Sequence, residues 1–183
     1  MVTITGSAAD DAAGLMRLAA DGDELAFARI VDAHHADMTS VCFVVTGGDA
    51  ELTEEAVQSA WPIAWRKLGT VRDPSRLRPW LVSIAVNEAR QLSRRRRRGR
   101  VLEIAVASDP SANSADPAAL TGDIDLRNAL ARLKPDDRAL IALRYVAGFD
   151  SAELGSALGI SPSATRARLA RLLGRLRTEL GDE

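Results

Sequence analysis

The chain has 183 residues, with 24 Lys and Arg set against 25 Asp and Glu for a formal net charge of −1. That length holds one domain or two small ones, and the near-neutral balance excludes a polycation that coats nucleic acid indiscriminately. A single cysteine, Cys42, excludes an intramolecular disulfide and a cysteine-rich zinc site, and an aromatic content of 4% speaks against a base-stacking platform.

In chain order, residues 1–10 are expected to be frayed and a short helix to run from Ala12 to Ala20. Asp21-Gly22-Asp23 then stops that helix and caps the next, from Glu24 to Val45. Leu25, Phe27, Ile30, Val31, His34 and Met38 recur there at the spacing of one buried face. Cys42, in the apolar run Val41–Val45, is expected to be a buried free thiol. Gly47-Gly48 ends the helix and lacks the lysine and spacing of a phosphate loop. A third helix, Ala50–Leu68, carries an apolar stripe through Leu52, Ala56, Val57, Ala60, Trp61, Ala64 and Trp65, with Pro62 expected to kink its axis. A polar loop follows from Gly69 to Arg76. The fourth helix starts at Leu77 or Pro79, turns Trp80, Leu81, Ile84 and Ala85 inward, and runs out into Arg94–Arg98.

From Gly99 to Gly122 the helical pattern is broken by Asp109-Pro110 and Asp116-Pro117, which predicts a flexible tether. Beyond it Leu126, Leu130 and Leu133 line one helix closed by Pro135, and Leu140, Ile141, Leu143 and Tyr145 line the next, which stops at Gly148. The fold class is therefore all-α: a four-helix domain over residues 12–98, a linker over 99–122 and a helix-turn-helix domain over 123–180.

The helix-turn-helix follows from sterics. Asp150-Ser151-Ala152-Glu153 has the form of a capping box. Two steeply crossing helices need a small residue at their contact and a glycine in the turn, which Gly155 and Gly159 supply. Ser161 caps the next helix with Pro162 at its first position. At about 100° per residue, Thr165, Leu169, Leu172, Leu173 and Leu176 point inward, and Ser163, Arg166, Ala167, Ala170 and Arg171 point outward. Small residues among arginines let a helix approach base edges while the arginines reach phosphate or guanine. A solvated basic face would carry the same charges.

On the fourth helix Asn87, Arg90 and Arg94 share a face, where asparagine can bond a base edge and arginine a phosphate. With these motifs in place, the chain resembles bacterial RNA polymerase sigma factors of the extracytoplasmic-function type. Glu54-Glu55-Ala56-Val57-Gln58-Ser59-Ala60-Trp61 is similar to that family's polymerase-docking helix, and Trp80 through Asn87 with the following arginines to its −10 reading helix. Leu143-Arg144-Tyr145 through Gly148-Phe149, then Glu153-Leu154 to Ser161 and Arg168–Arg171, resembles its −35 reading helix-turn-helix. Ser59, Pro62 and Gln91 depart from the family's usual residues.

The resemblance implies that Glu54, Glu55 and Gln58 contact the polymerase clamp, and that the loop holding Arg72 and Arg76 receives a base flipped from the melted −10 strand. It further implies that Asn87, Arg90 and Arg94 contact −10 DNA and that Ser163, Arg166, Arg168 and Arg171 serve the −35 element. The implied partners are core RNA polymerase, promoter DNA and a possible anti-sigma factor. A tether of ~24 residues reaches roughly 80 Å at ~3.3 Å each, enough for elements ~16–18 base pairs, or about 55–60 Å, apart.

No enzyme is expected. His34 and His35 are adjacent on a helix, so their rings diverge and cannot easily share a metal, and no catalytic order of side chains stands out. No cofactor or metal is expected either. No apolar run reaches the ~18 residues that span a bilayer, and residues 1–11 lack a secretory pattern, so the expected location is cytoplasmic. Two alternatives stay open: a two-domain helix-turn-helix regulator that acts without polymerase, and a sigma-like interaction module that reads no promoter.

Overall fold

The computed structural model describes the backbone of residues 5–106 and 121–180. Every regular element among them is helical: α1 Thr5–Ala20, α2 Glu24–Thr46, α3 Ala50–Lys67, α4 Leu77–Val106, α5 Thr121–Arg132, α6 Pro135–Ile141, α7 Ser151–Leu158 and α8 Pro162–Leu180. Two short 3-10 turns, Leu68–Thr70 and Pro74–Arg76, fill the loop before α4, and a π turn over Ala142–Val146 prolongs α6.

The boundaries come from local chemistry. The Asp23 side chain accepts a hydrogen bond from the Ala26 amide at 2.9 Å and starts α2, and Gly47 ends it at φ 82°, where glycine is unstrained. Asp49 caps α3 by accepting from the Leu52 amide at 3.1 Å. A buried hydroxyl pair, Thr46 with Thr53 at 2.9 Å, ties the two helices beside that turn. The helix α3 continues through Pro62, which lies on its exposed side.

Several expectations need correction. The first helix begins at Thr5 rather than Ala12. The fourth runs to Val106, well into the stretch expected to be tether, since arginine is a good helix former and Gly99 alone does not break the run. At about 1.5 Å per residue its 30 residues extend about 45 Å. Residues 107–120 of the expected tether lie outside the described residues. Leu25 is 80% exposed, lying about 140° around α2 from the buried Ile30. Tyr145, expected inside, is 57% exposed, because the π turn rotates it off the face that buries Leu140 and Leu143. Leu126 is also exposed, leaving Leu130 and Leu133 to anchor α5.

The core is continuous. Ile30, Met38, Val41 and Val45 of α2 and Leu81, Val82, Ala85 and Val86 of α4 share it with Leu140 and Leu143 from the other side of the tether. The two helical units are therefore packed against each other. Each buried leucine brought to that contact is worth about 1.5–3 kcal/mol. Cys42 is fully buried, and burial pushes its thiol up to about 12.

The helix-turn-helix has the expected geometry. Asp150 accepts from the amides of Ala152 and Glu153, both at 2.8 Å, and Glu153 returns the bond to the Asp150 amide at 2.8 Å. Gly159 takes φ 70° in the turn, and Ser161 caps α8 by accepting from the Ala164 amide at 3.2 Å. A Cβ on Gly155 would stand 2.7 Å from the Ile160 carbonyl oxygen, so no larger residue fits without moving backbone.

Gly155→Ala should cost about 1–3 kcal/mol and lower the melting temperature by about 3–10 °C. Gly174→Ala, on α8 with open space around it, should instead gain about 0.5–1 kcal/mol. Thermal denaturation followed by circular dichroism checks both signs. Iodoacetamide should leave Cys42 unmodified in the native protein and alkylate it in denaturant, as mass spectrometry would show.

Candidate nucleic-acid and polymerase interfaces

The helix α3 presents Glu54, Glu55 and Gln58 to solvent. Glu54 and Gln58 lie one turn apart, with the Gln58 amide donating to Glu54 at 2.9 Å. One turn on, the Trp61 indole N–H donates to His35 Nδ1 at 3.3 Å, with the two rings nearly parallel. The inner edge of this aromatic patch is fixed by Phe27, which meets Trp65 edge to face at 4.7 Å. An acidic and amide face is thus mounted on a rigid aromatic base.

The loop between α3 and α4 exposes Arg72 and Arg76. Asp73 braces it by accepting from the amide and hydroxyl of Ser75 at 2.9 and 2.7 Å, and these bonds hold its carboxyl below the ordinary value. On α4, Asn87 and Arg90 are half-buried and Arg94 is exposed. Arg90 donates to Asn87 Oδ1 at 3.0 Å, and Arg94 lies one turn on along the same strip.

That strip is occupied. Asp136, in the first turn of α6, accepts from Arg90 Nε at 2.7 Å, and Arg94 Nη2 reaches both of its carboxylate oxygens at 2.5 Å. Burial alone would raise the Asp136 pKa, but the hydrogen bonds from Arg94 and Arg90 outweigh it and hold the carboxyl below its ordinary value. The next residue, Asp137, accepts from Arg168 of α8 at 2.8 and 2.6 Å. Arg168 therefore leans toward α6, while Ser163, Arg166 and Arg171 stay exposed together with Ala167 and Ala170.

The third residue of the series, Arg138, is buried. Its Nε donates to the Val45 carbonyl at 2.7 Å, and Nη1 to those of Ala131 and Leu133 at 3.1 and 3.2 Å. Its guanidinium lies so close to Gly47 that a Cβ there would approach Nη1 to 3.1 Å. Arg78 makes a further tie, from Nε to Asp37 at 2.6 Å and from Nη1 to the Ala147 carbonyl at 2.9 Å. A cleft of about 310 Å³ beside Arg138 is lined by Ser93, Arg96, Arg97 and Arg132. Arg96 is already engaged there by Asp49 at 2.8 Å.

Sequence reasoning missed Asp136, Asp137, Arg138 and Arg78. Pro135 followed by two acids is an ordinary helix start, where negative side chains suit the dipole. The one local signal was Arg138, a charged residue placed where the leucine pattern of α6 turns inward.

Two known families match the chain, Sigma-70 region 2 over residues 30–99 and Sigma-70 region 4 over residues 123–176. The RNA polymerase sigma factor CarQ of Myxococcus xanthus is 31% identical over 166 residues, covering 88% of this chain and 93% of its own length. The ECF RNA polymerase sigma factor SigL of Mycobacterium tuberculosis is 28% identical, covering 98% of this chain and 96% of its own. The Xanthomonas campestris protein named "Probable RNA polymerase sigma factor RfaY" is 33% identical, but the chain spans only 42% of its length. Among solved structures, CnrH in complex with the cytosolic domain of CnrY superposes with a TM-score of 0.66 at 27% identity, over 94% of this chain and all of that one. RpoE bound to the anti-sigma factor NepR from Bartonella quintana gives 0.67 at 23% identity, over 86% of this chain and 98% of that one, a likeness of fold. The regions matched at both ends, and the near-complete overlap with CarQ and SigL, make this chain a member of the extracytoplasmic-function family of RNA polymerase sigma factors.

Proposed function

We propose that the chain binds core RNA polymerase and directs it to promoters, with residues 12–98 meeting the polymerase and the −10 element and residues 123–180 the −35 element. What carries the reading is the outer face of α8: Ser163, Arg166, Ala167, Ala170 and Arg171 are all exposed, on a helix whose approach angle is fixed by Gly155. Small residues there leave room for base edges, and the two arginines reach phosphate or guanine.

The exposed Glu54, Glu55 and Gln58 on α3 support polymerase docking on the same chain. Arg72 and Arg76, on a loop stiffened by Asp73, support a role in receiving a flipped −10 base. Asn87, Arg90 and Arg94 form one strip on α4 suited to melted −10 DNA. Such a factor works in the cytoplasm beside polymerase and adds promoter choice, with no chemical step of its own. No described helix is long and apolar enough to cross a membrane.

Run-off transcription with bacterial core polymerase over a promoter library should yield transcripts from a defined promoter. Sequence-specific operator binding by the protein alone, with no polymerase retained in a pull-down, would refute this reading. Arg166→Ala and Arg171→Ala should each weaken −35-dependent initiation about tenfold, as expected for a lost base or phosphate contact of ~1–3 kcal/mol, and leave polymerase retention intact. Both should change stability by less than ~0.5 kcal/mol. Arg168→Ala should destabilise the fold by about 1–2 kcal/mol in urea titration, because it strands Asp137, whose side chain is only 12% exposed.

A further inference from the structure

We propose that the cleft beside Arg138 is a binding site for a compact diphosphate anion, either pyrophosphate or the diphosphate group of a nucleotide. It shares no lining residue with the groove around Asn87, Arg90 and Arg94 on α4.

Charge is the first observation. Four arginines line the cleft, Arg96 and Arg97 from α4, Arg132 from α5 and Arg138 from α6, against one carboxylate, Asp49. Asp49 is committed to Arg96 at 2.8 Å. Arg97 and Arg132 are exposed and meet no carboxylate among the described residues. Arg138 is 7% exposed and gives Nε and Nη1 to backbone carbonyls, while its Nη2 makes no hydrogen bond among the described residues. Burial, and then the like charge of Arg97, hold the Arg138 pKa below its ordinary value. An anion placed between the two guanidinium groups offsets both effects.

A hydroxyl is the second observation, and it is independent of the charges. Ser93 lines the same cleft and is 6% exposed, and its Oγ is buried with no hydrogen-bond partner among the described residues. On the same helix Ser83 returns its hydroxyl to the Pro79 carbonyl at 2.8 Å, as helical serines commonly do. Ser93 does not. A buried donor left unbonded costs stability, and a phosphate oxygen in the cleft would accept from it.

Size and charge then select the ligand. The cleft holds about 310 Å³, at the lower end for small-molecule sites and too small to admit a duplex. One phosphate group carries about −1.5 to −2 charge at neutral pH, short of the three guanidinium groups that Asp49 does not neutralise. Two linked phosphates match them, and arginine meets phosphate through paired hydrogen bonds. Leu52, Leu133 and Pro135 complete the wall and offer no side-chain group that reads a base.

Isothermal titration calorimetry of the full chain with sodium pyrophosphate, ADP and orthophosphate tests this at low salt, where charge contacts are least screened. Pyrophosphate should bind saturably, one per chain, and about tenfold more tightly than orthophosphate. Arg97→Ala and Arg132→Ala should each weaken it about tenfold, as expected for a lost charge-assisted hydrogen bond. Ser93→Ala should weaken it roughly threefold and leave the melting temperature equal or higher, because an unbonded hydroxyl is removed. A merely structural serine would move the melting temperature and not the affinity. Arg95→Ala, the same charge change at an exposed α4 position outside the cleft, should alter affinity less than about twofold. Circular dichroism on each variant confirms that the helices persist. ADP binding more tightly than pyrophosphate assigns the site to a nucleotide, and ADP binding no more tightly assigns it to the free anion; both uphold the site. Absence of saturable pyrophosphate binding overturns the proposal. So do equal losses in Arg95→Ala and Arg97→Ala, which mark attraction to the arginine run as a whole, and orthophosphate binding as tightly as pyrophosphate.

Discussion

The packing of the two helical units turns on one buried cation. Arg138 has no carboxylate partner among the described residues; it is held by carbonyl groups of Val45 near the C-terminal end of α2 and of Ala131 and Leu133 at the end of α5. Helix C-termini leave carbonyls unpaired and carry partial negative charge, so a cation there satisfies both needs. Burial and the neighbouring charge of Arg97 both press its pKa down, and an arginine resists deprotonation where a lysine would yield. Gly47 completes the seat. Its left-handed backbone ends α2, and its missing Cβ lets the guanidinium approach.

Around that pin, three successive residues of α6 address three different helices. Neighbouring positions on a helix point about 100° apart, so Asp136 faces α4, Asp137 faces α8 and Arg138 faces α2. Asp137 belongs to its own unit and orients Arg168 within it. The other two bridge the units, aided by Arg78 on the Ala147 carbonyl. The apolar contact between α2 and the leucines of α6 supplies most of the free energy of that packing, while the charges fix its register.

Much of the fold was legible because its determinants are local. The capping box of α7 spans four residues, and Gly155 and Gly159 declare their roles through sterics within one turn. The exposed face of α8 followed from the helical period alone. The errors lie where distance or irregularity intervenes. Tyr145 was misplaced because a π turn adds a residue that no periodic count anticipates. Arg94–Arg98 looked like a run of equal charges, yet Arg94 meets Asp136 and Arg96 meets Asp49 through tertiary contact. The contacts of Asp136 with Arg94 and Arg90, and of Arg138 with the Val45 carbonyl, span 42, 46 and 93 residues, and composition cannot pair an arginine with one acceptor among many.

The same constraint explains why the arginines differ in availability. Arg166 and Arg171 stand exposed on the outer face of α8. Arg90, Arg94 and Arg168 lie on faces that the α6 turn can reach, and each has a carboxylate in place. Which positive charges the fold has already neutralised is set by tertiary contact, and the net charge of −1 for the whole chain conceals it.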